Sequence, residues 1–285
     1  MQIIERIEPL RSALEAPRRA GSGIALVPTM GALHEGHLSL VDRARERAAC
    51  VVMSLFVNPL QFGPNEDFAR YPRDLEGDKR LAEARGVDFL FAPQPAELYR
   101  SARTVSVVPA SLASRWDGAS RPGHFTGVLT VVAKLFNIVQ PDIAVFGQKD
   151  IQQATLIRAM IRDLDFPIQL VVAPTVREPD DVALSSRNAY LRPTDRKRAR
   201  LLSRALFAMR DAFDGGEDSG AALEAIGRRV VDAEPKVKVE YLAVMDPDTL
   251  EPATVATAGS IAAIAAHIGT TRLIDNVIFG APASS

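Results

Sequence analysis

The stretch IALVPTMGALHEGH, residues 24–37, decides the fold of this chain of 285 residues. Its first four residues, Ile24–Val27, predict a buried strand that breaks at the following proline, and Gly31 lets the backbone approach a ligand closely. His34 and His37 come next, three positions apart, at the start of an amphipathic helix pattern. A strand that leads into a helix N-terminus with two imidazoles is typical of a site for an anionic group such as phosphate.

Two other interpretations of this histidine pair stay open: metal binding and simple capping of the helix. The spacing H-E-G-H differs from the H-E-x-x-H pattern of zinc enzymes, whose histidines lie four positions apart, and no cysteine lies nearby. Side chains three positions apart share one helix face, so both imidazoles can contact one ligand. Phosphate contact is therefore the preferred interpretation.

Short apolar runs alternate with helical patterns through about residue 175. The predicted strands are Ile24–Val27, Val51–Val57, Asp88–Phe91, Asp142–Phe146 and Ile168–Val172, and the predicted helices are His37–Ala48, Asp74–Arg85, Phe125–Val139 and Ile151–Leu164. Alternation of this length predicts an α/β fold with a doubly wound parallel sheet. Ligands of such sheets bind beyond the carboxyl ends of the strands.

The pattern changes after Arg177, which predicts a division into domains 1–176 and 177–285. In the second domain, Thr194 is a plausible N-cap for an amphipathic helix, and a shorter helix follows near Ala221–Ala233. Further strands are predicted around Val237–Tyr241, over Ser260–Ile268 and over Thr271–Val277, and residues 281–285 predict a frayed tail. The second domain is therefore expected to be a small α+β domain.

Composition excludes several classes of partner. The formal net charge is −1, so no overall basic field favours nucleic acid. No apolar stretch approaches the ~18–20 residues of a membrane span, and the N-terminus does not resemble a signal peptide, so a cytoplasmic location without membrane contact is expected. Cys50 is the only cysteine and is expected to be a small buried residue.

Polar residues also follow later predicted strands or precede helices. Gln61 stands among apolar neighbours, where its amide can donate to and accept from a small polar substrate. The preceding pair, Asn58 and Pro59, is equally typical of a plain turn. Arg121 favours an anion site before the long apolar helix, whereas His124 can simply cap that helix.

Two further segments favour phosphate binding. Within Gly147–Asp150, Lys149 offers a positive charge at a strand end, although Asp150 and Gln153 also match a D-x-x-Q capping pattern. The spacing is not that of a Walker P-loop. Residues Ser185–Arg187 present two hydroxyls and a guanidinium, a combination suited to a phosphate clamp, with a plain turn as the alternative. A clamp on a second domain could close over nucleotide bound by the first.

In this order, the segments closely resemble those of the pantoate–β-alanine ligase family. The resemblance is carried by PTMGALHEGHLSLV (Pro28–Val41), FVNPLQF (Phe56–Phe62), YPR (Tyr71–Arg73), RPGHF (Arg121–Phe125), VAKLFNIVQPD (Val132–Asp142), FGQKD (Phe146–Asp150), ALSSRN (Ala183–Asn188) and RLIDN (Arg272–Asn276). It implies a Rossmann-like domain with a small C-terminal α+β lid domain, a homodimer, and membership of the HIGH-motif nucleotidyltransferases. The implied reaction is the ATP-dependent condensation of pantoate with β-alanine, which gives pantothenate, AMP and pyrophosphate through a pantoyl-adenylate.

The resemblance also implies roles for individual residues. His34, His37 and Lys149 are the implied catalytic residues, with His37 as proton donor. The implied ATP-binding residues are Met30, Gly31, Ala32, Leu33, His34, Glu35, Gly36, His37, Gly147, Gln148, Lys149, Asp150, Val176, Leu184, Ser185, Ser186 and Arg187, and the implied substrate-binding residues are Asn58, Gln61, Tyr71, Arg121, His124 and Gln153. Mg²⁺ is expected to bind through the ATP phosphates, and no protein side chain is assigned to a metal.

The chain departs from the family pattern at two positions. Gln148 stands where an acidic residue is common, and Asp181 stands where the usual E-x-D-G form has glycine. Neither position is one of the implied catalytic residues, so the activity is expected to survive.

Two other functions are compatible with a histidine motif of this kind. A nucleotidylyltransferase would retain AMP on its product, and a binding module would bind nucleotide without turnover. An NAD-dependent oxidoreductase is disfavoured because no G-x-G-x-x-G follows Val27.

Overall fold

The computed structural model describes residues 1–64, 66, 68–100 and 104–281, and the chain divides into two compact units. The first unit contains Met1–Gly147 and Leu156–Ala173. The second contains Gln148–Thr155 and the described residues from Pro174 onward. Apart from Ala281, the predicted C-terminal tail lies outside the described residues.

A parallel sheet forms the centre of the first unit. In the described part of the chain its six strands are β1 (Gln2–Ile4), β2 (Ile24–Thr29), β3 (Cys50–Leu55), β4 (Phe89–Phe91), β5 (Ile143–Gly147) and β6 (Gln169–Ala173). They pair in the order β1-β4-β3-β2-β5-β6, and all of these pairs are parallel. The predicted doubly wound α/β fold is confirmed. The order reverses between β2 and β5, which is where ligands of such sheets bind.

Helices cover both faces of this sheet. They are α1 (Ile7–Arg19), α2 (Glu35–Arg45), α3 (Leu75–Ala84), α4 (Pro95–Leu98), α5 (Trp116–Ser120), α6 (His124–Val139) and α7 (Ile151–Asp163), whose first five residues belong to the second unit. One apolar cluster contains Leu10 of α1 and Phe136 of α6, and another contains Val41 of α2. Strand β3 is buried along its whole length, as expected for a strand covered on both sides. Cys50 is buried, and burial raises the pKa of its thiol to about 11.

The second unit packs two long helices on an antiparallel sheet. Its helices are α8 (Pro193–Asp214) and α9 (Gly220–Val231), and its strands, β7 (Val237–Met245), β8 (Ile261–Ile268) and β9 (Thr271–Ile278), pair in the order β7-β8-β9 among the described residues. Leu206 and Met209 of α8 and Ile264 of β8 lie in its core. At Gly227 of α9, a Cβ would lie 2.6 Å from the Met209 sulfur, so glycine allows the two helices to approach closely. This is the small α+β fold that the sequence predicts.

Three local predictions are wrong. Strand β2 does not stop at Pro28 but continues to Thr29, because β2 pairs with β5 only at Ala25 and Leu26 and needs no ladder bond to β5 from the proline. Strand β3 ends at Leu55, two residues before the predicted end. Helix α8 is capped by Arg192 rather than Thr194, because Pro193, with its fixed φ, occupies the first helical position.

No helix in the described ranges combines the length and the apolar character that a bilayer crossing requires.

Candidate functional site

The loop between β2 and α2 begins at the point where the sheet order reverses. Gly31 (φ +81°) and Ala32 (φ +52°) are both in the left-handed region, which turns the chain toward the N-terminus of α2. Asp78 of α3 accepts hydrogen bonds from the amides of Ala32 (3.0 Å) and Leu33 (2.7 Å). A Cβ on Gly31 would lie 2.8 Å from Oδ2 of Asp78, so glycine is required there. The buried Asp78 carboxylate therefore fixes the shape of the loop.

Sequence reasoning missed Asp78. It lies 46 residues from Ala32, and in the helix pattern of α3 it looks like an ordinary solvated carboxylate. Its side chain is instead buried, and burial raises its pKa although the two amide bonds oppose the shift.

His34 and His37 share the first turn of α2. His34 is the N-cap, and its carbonyl accepts from the His37 amide at 2.8 Å. The His34 amide donates to Nδ1 of His37 at 3.4 Å, and the two ring centroids lie 4.1 Å apart. Because Nδ1 of His37 accepts this bond, the proton of the neutral ring is on Nε2. Capping and ligand binding are therefore compatible functions of this pair.

A buried amide network surrounds Gln61. Asn58 is 1% exposed and caps the short 3₁₀ turn Pro59–Gln61. Its Nδ2 donates to Oε1 of Gln61 (3.2 Å) and to the Gly127 carbonyl (3.0 Å), while its Oδ1 accepts from the Tyr99 hydroxyl (2.8 Å). These partners fix both ends of the Asn58 amide and, through it, the orientation of Gln61.

Helix α6 and the β2–α2 loop also contact this turn. A Cβ on Gly127 would lie 2.2 Å from the Leu60 carbonyl oxygen, so glycine lets α6 press directly against the turn. On another side, Nε2 of Gln61 lies 2.9 Å from the sulfur of Met30. The structure thus brings the predicted residues Met30, Asn58 and Gln61 together.

Arg121 and His124 lie beside the same turn, with a partner that the sequence did not indicate. Arg121 makes a bidentate ion pair with Glu66 through contacts of 2.7 and 2.6 Å. Its Nη1 lies 3.0 Å from Nε2 of His124, and Nδ1 of His124 lies 2.7 Å from the Gln61 carbonyl. Since a guanidinium only donates, Nε2 of His124 accepts, and Nδ1 donates to the carbonyl. Burial, followed by the adjacent Arg121 charge, lowers the pKa of His124 to about 4.

Tyr71 belongs to an aromatic group next to the Gln61 turn. It is buried, and its ring meets the edge of Phe62 at a centroid distance of 5.9 Å. Arg73 donates to the carbonyls of Tyr71 (3.1 Å) and Phe68 (3.0 Å), which closes the segment.

In the second unit, residues 176–184 form a tight hairpin. Arg177 and Ala183 form an antiparallel bridge, and the Leu184 amide donates to the Val176 carbonyl at 3.0 Å. Two residues predicted to line the adenosine site, Val176 and Leu184, are therefore paired. Asp181 is at the tip, with a left-handed φ of +70°.

Arg196 of α8 holds the hairpin from outside. It donates to Glu178 (2.7 Å) and to Asp180 (2.9 Å). These two acceptors raise the pKa of Arg196 above its ordinary value, and the bonds with Arg196 lower that of Asp180. The basic run at the start of α8 therefore has a structural function at this position.

Lys149 and Ser185 line one cleft of the second unit. Asn188 and Asp275 also line this cleft. Ser185 caps the 3₁₀ turn Ser186–Tyr190 by accepting from the Arg187 amide at 3.3 Å. The predicted clamp residues Ser185–Arg187 are therefore located at the start of a short helical turn. Among the other predicted residues, Asp150 is exposed and Gln153 is half-buried on α7, while Gly147 ends β5 in the first unit.

Within the described ranges, no group of three or more histidine, cysteine or acidic side chains is arranged to hold a metal ion.

Together the fold and the site define an α/β protein with a histidine-bearing helix N-terminus at the reversal of its sheet. The profile of the pantoate-beta-alanine ligase family matches residues 2–278. The chain belongs to this family.

Individual relatives agree over nearly the full length. A pantothenate synthetase of Moorella thermoacetica is 51% identical over 278 residues, which cover 98% of each chain. The crystal structure of a pantothenate synthetase from Thermus thermophilus has a TM-score of 0.93 and 48% identity, covering 98% of this chain and 99% of that one. A pantoate-beta-alanine ligase from Francisella tularensis, complexed with beta-gamma ATP and beta-alanine, has a TM-score of 0.78 and 33% identity, covering 98% of this chain and 97% of that one.

The buried His124 predicts a pH-dependent stability. Because its pKa is about 4 in the folded protein and about 6.5 when unfolded, the unfolded chain takes up the proton first as the pH falls. The stabilisation is nearly complete at pH ~7.5 and is lost toward pH ~4, with about 2 kcal/mol lost between pH 7.5 and 5. Urea unfolding at pH 7.5, 6.5 and 5 measures this loss. His124→Asn retains a donor but does not titrate, so over the same pH range its free energy of unfolding should fall by about 2 kcal/mol less than that of the unmodified protein. Identical pH slopes for the two proteins would contradict the attribution of the loss to His124.

Proposed function

We propose that this chain joins pantoate to β-alanine through a pantoyl-adenylate. As a member of its family, the protein is an ATP-dependent ligase. The observation that carries the two-step route is the histidine pair at the N-terminus of α2, directly beyond the end of β2. An N-terminus with a partial positive charge and two imidazoles suits a phosphorus centre on which negative charge develops.

The first step makes the acyl group reactive. A carboxylate and an amine do not condense at neutral pH without a leaving group, so an oxygen of the pantoate carboxylate attacks the α-phosphorus of ATP and pyrophosphate departs. In the second step the β-alanine amine attacks the acyl carbon, and AMP leaves with the bonding electrons of the acyl–oxygen bond. In both steps the protein contributes positioning and charge stabilisation.

His37 is proposed to donate a hydrogen bond to the reacting phosphate. The bond from the His34 amide occupies Nδ1 of His37 and leaves the N–H on Nε2. A neutral ring in this tautomer can stabilise developing charge without first being protonated. His34, on the same turn, is proposed to act on the same phosphate.

The pantoate pocket is proposed to lie around Gln61. Oε1 of Gln61 accepts from Asn58, and its Nε2 faces the weakly accepting sulfur of Met30. One further N–H and one further lone pair are therefore available for a small hydroxy acid. The other proposed substrate-binding residues are Asn58, Tyr71, Arg121, His124 and Gln153.

Residues of the second unit are proposed to bind ATP. Lys149 and Ser185, which line one cleft, would contact phosphates, as would Ser186 and Arg187. The remaining proposed ATP-binding residues are Met30, Gly31, Ala32, Leu33, Glu35, Gly36, Gly147, Gln148, Asp150, Val176 and Leu184. On this proposal, domain 1–176 supplies the histidines and the pantoate pocket, and domain 177–285 acts as a lid that supplies the clamp.

Mg²⁺ is proposed to arrive with ATP. The described residues contain no cluster suited to a protein-made cage, and Mg²⁺ typically binds through substrate phosphates with few carboxylates. The cation would neutralise phosphate charge. A cytoplasmic location is also proposed, because ATP is available there.

The protein is further proposed to be a homodimer. The segment 104–110 is anchored by the Val107 amide, which donates to Thr130 of α6 at 3.1 Å. Val105 and Val108 on this segment are 79% and 71% exposed. Two exposed valines on an anchored segment fit a surface that a second copy covers.

Isotope exchange tests the reaction. The adenylate route predicts that labelled pyrophosphate is incorporated into ATP when pantoate is present and β-alanine is absent, and that adding β-alanine yields AMP and pantothenate in equal amounts. Exchange that depends on a phosphorylated acceptor instead of pantoate would contradict the ligase and favour a nucleotidylyltransferase. Binding of ATP without exchange or turnover would favour a binding module.

Replacing His37 tests its donor role. His37→Ala should reduce pantoate-dependent exchange about 10²–10³-fold, the typical effect of losing one donor to a developing charge. His37→Gln, which keeps an N–H near the position of Nε2, should retain more activity than His37→Ala. Thermal unfolding of both variants shows whether the fold is intact, and exchange equal to that of the unmodified protein would remove the proposed role.

Light scattering tests the dimer. The unmodified protein should have twice the 30.8 kDa chain mass, and the double variant Val105→Asp/Val108→Asp should shift toward the monomer because two charges from each chain would be buried in the interface. Val255→Asp alters another valine that is 59% exposed and should leave the mass unchanged. A dimer that tolerates both aspartates places the interface elsewhere.

A further inference from the structure

The RLIDN segment of β9 ends in a buried asparagine that contacts the Lys149 backbone. Asn276 is 1% exposed. Its Nδ2 donates to the carbonyls of Gln148 and Lys149, both at 2.9 Å, and its Oδ1 accepts from Nε2 of Gln148 at 3.1 Å. One side chain, 127 residues from Lys149 in sequence, therefore holds the peptide groups on both sides of Lys149.

The chemistry of these partners fixes the orientation of both amides. Two backbone carbonyls can only accept, so the NH₂ group of Asn276 must face them. The Asn276 oxygen then faces Gln148, which must donate. An ionised glutamate at position 148 could not make this bond. The glutamine that departs from the family pattern is thus matched to the Asn276 oxygen.

The preceding residue of β9 holds the neighbouring segment. Asp275 accepts two hydrogen bonds from Arg177, at 2.7 and 2.9 Å, and Arg177 also donates to the Asp181 carbonyl at the tip of the 176–184 hairpin. Burial raises the pKa of Asp275, although the Arg177 charge opposes this. Consecutive side chains of one strand therefore fix the turn that carries Lys149 and the hairpin that precedes Ser185.

We infer that Asn276 is a positioning residue that acts through Lys149. The inference rests on the proposed function, in which Lys149 contacts an ATP phosphate. Without the Asn276 amide, two partly buried carbonyls each lose a hydrogen bond, and the 3₁₀ turn over Gln148–Asp150 is free to shift. A displacement of about 1 Å at a charge that positions substrate is enough to cost about 10²-fold in rate.

A double-mutant cycle tests this coupling. Asn276→Ala should weaken ATP binding and lower kcat/KM for ATP about 10–100-fold while leaving KM for pantoate within about twofold. In a Lys149→Ala background the same substitution should change either quantity by less than about threefold, because the group through which it acts is gone. Calorimetry with ATP alone and pantoate-dependent exchange provide the two readouts.

Two further variants complete the design. Gln148→Met removes the donor to Asn276 but leaves both carbonyl bonds intact, so it should produce a smaller effect on the same ATP parameters, and it replaces Asn276→Ala if that variant does not fold. Arg272 lies on the same strand as Asn276 and pairs with Glu240 of β7, so Arg272→Ala should alter neither readout.

The outcomes separate the inference from the proposed function. Equal losses of ATP affinity and kcat/KM from Asn276→Ala in the unmodified protein and in the Lys149→Ala background would overturn the positioning role. So would an Asn276→Ala protein with a lower melting temperature but unchanged ATP parameters. A protein that binds ATP with the expected coupling but shows no pantoate-dependent exchange would retain the positioning role and lose the proposed reaction. Absence of ATP binding by the unmodified protein would overturn both.

Discussion

The unequal pairing of β2 with its two neighbours is the constraint on which the first unit depends. Strand β2 pairs with β3 along its whole length but with β5 only at Ala25 and Leu26. Beyond Leu26 the two strands therefore separate, and β5 pairs onward with β6 through Gly147. This separation lies at the carboxyl ends of β2 and β5, where the sheet order reverses and where ligands of doubly wound sheets bind. The left-handed backbone at Gly31 and Ala32 turns the chain there, and the histidine turn of α2 follows.

Buried side-chain amides hold candidate site groups in both units. In the first unit, Asn58 orients the Gln61 side chain, and in the second, Asn276 fixes the main chain at Lys149. An amide carries donors and an acceptor on one planar group, so partners on both sides determine a single orientation. A carboxylate lacks the donor, and a hydroxyl rotates. Uncharged amides can therefore fix the orientation of groups that are proposed to contact substrate.

The sequence predicts the architecture well because strand and helix periodicity is a local signal. It misses β1 and α1, since three residues give too short a pattern for a strand and two prolines interrupt the helix pattern of α1. The resemblance to the ligase family names candidate residues but not their supports. Asp78, Glu66 and Asn276 act on partners 46, 55 and 127 residues away, and spacing along the chain carries no information about such pairs. The roles of the individual site residues stay predictions.

Asp181, at the tip of the 176–184 hairpin, has its backbone in the left-handed region. This conformation changes the stage at which conformational entropy is lost. Glycine at position 181 would adopt φ = +70° without strain but would give the unfolded chain, and any open form of the hairpin, many more conformations. Aspartate tolerates this conformation better than most residues and restricts the alternatives. With Arg177 bonded to its carbonyl, the loop before the serines is ordered when the protein folds. The entropic cost of shaping this loop therefore falls on folding rather than on each encounter with a ligand.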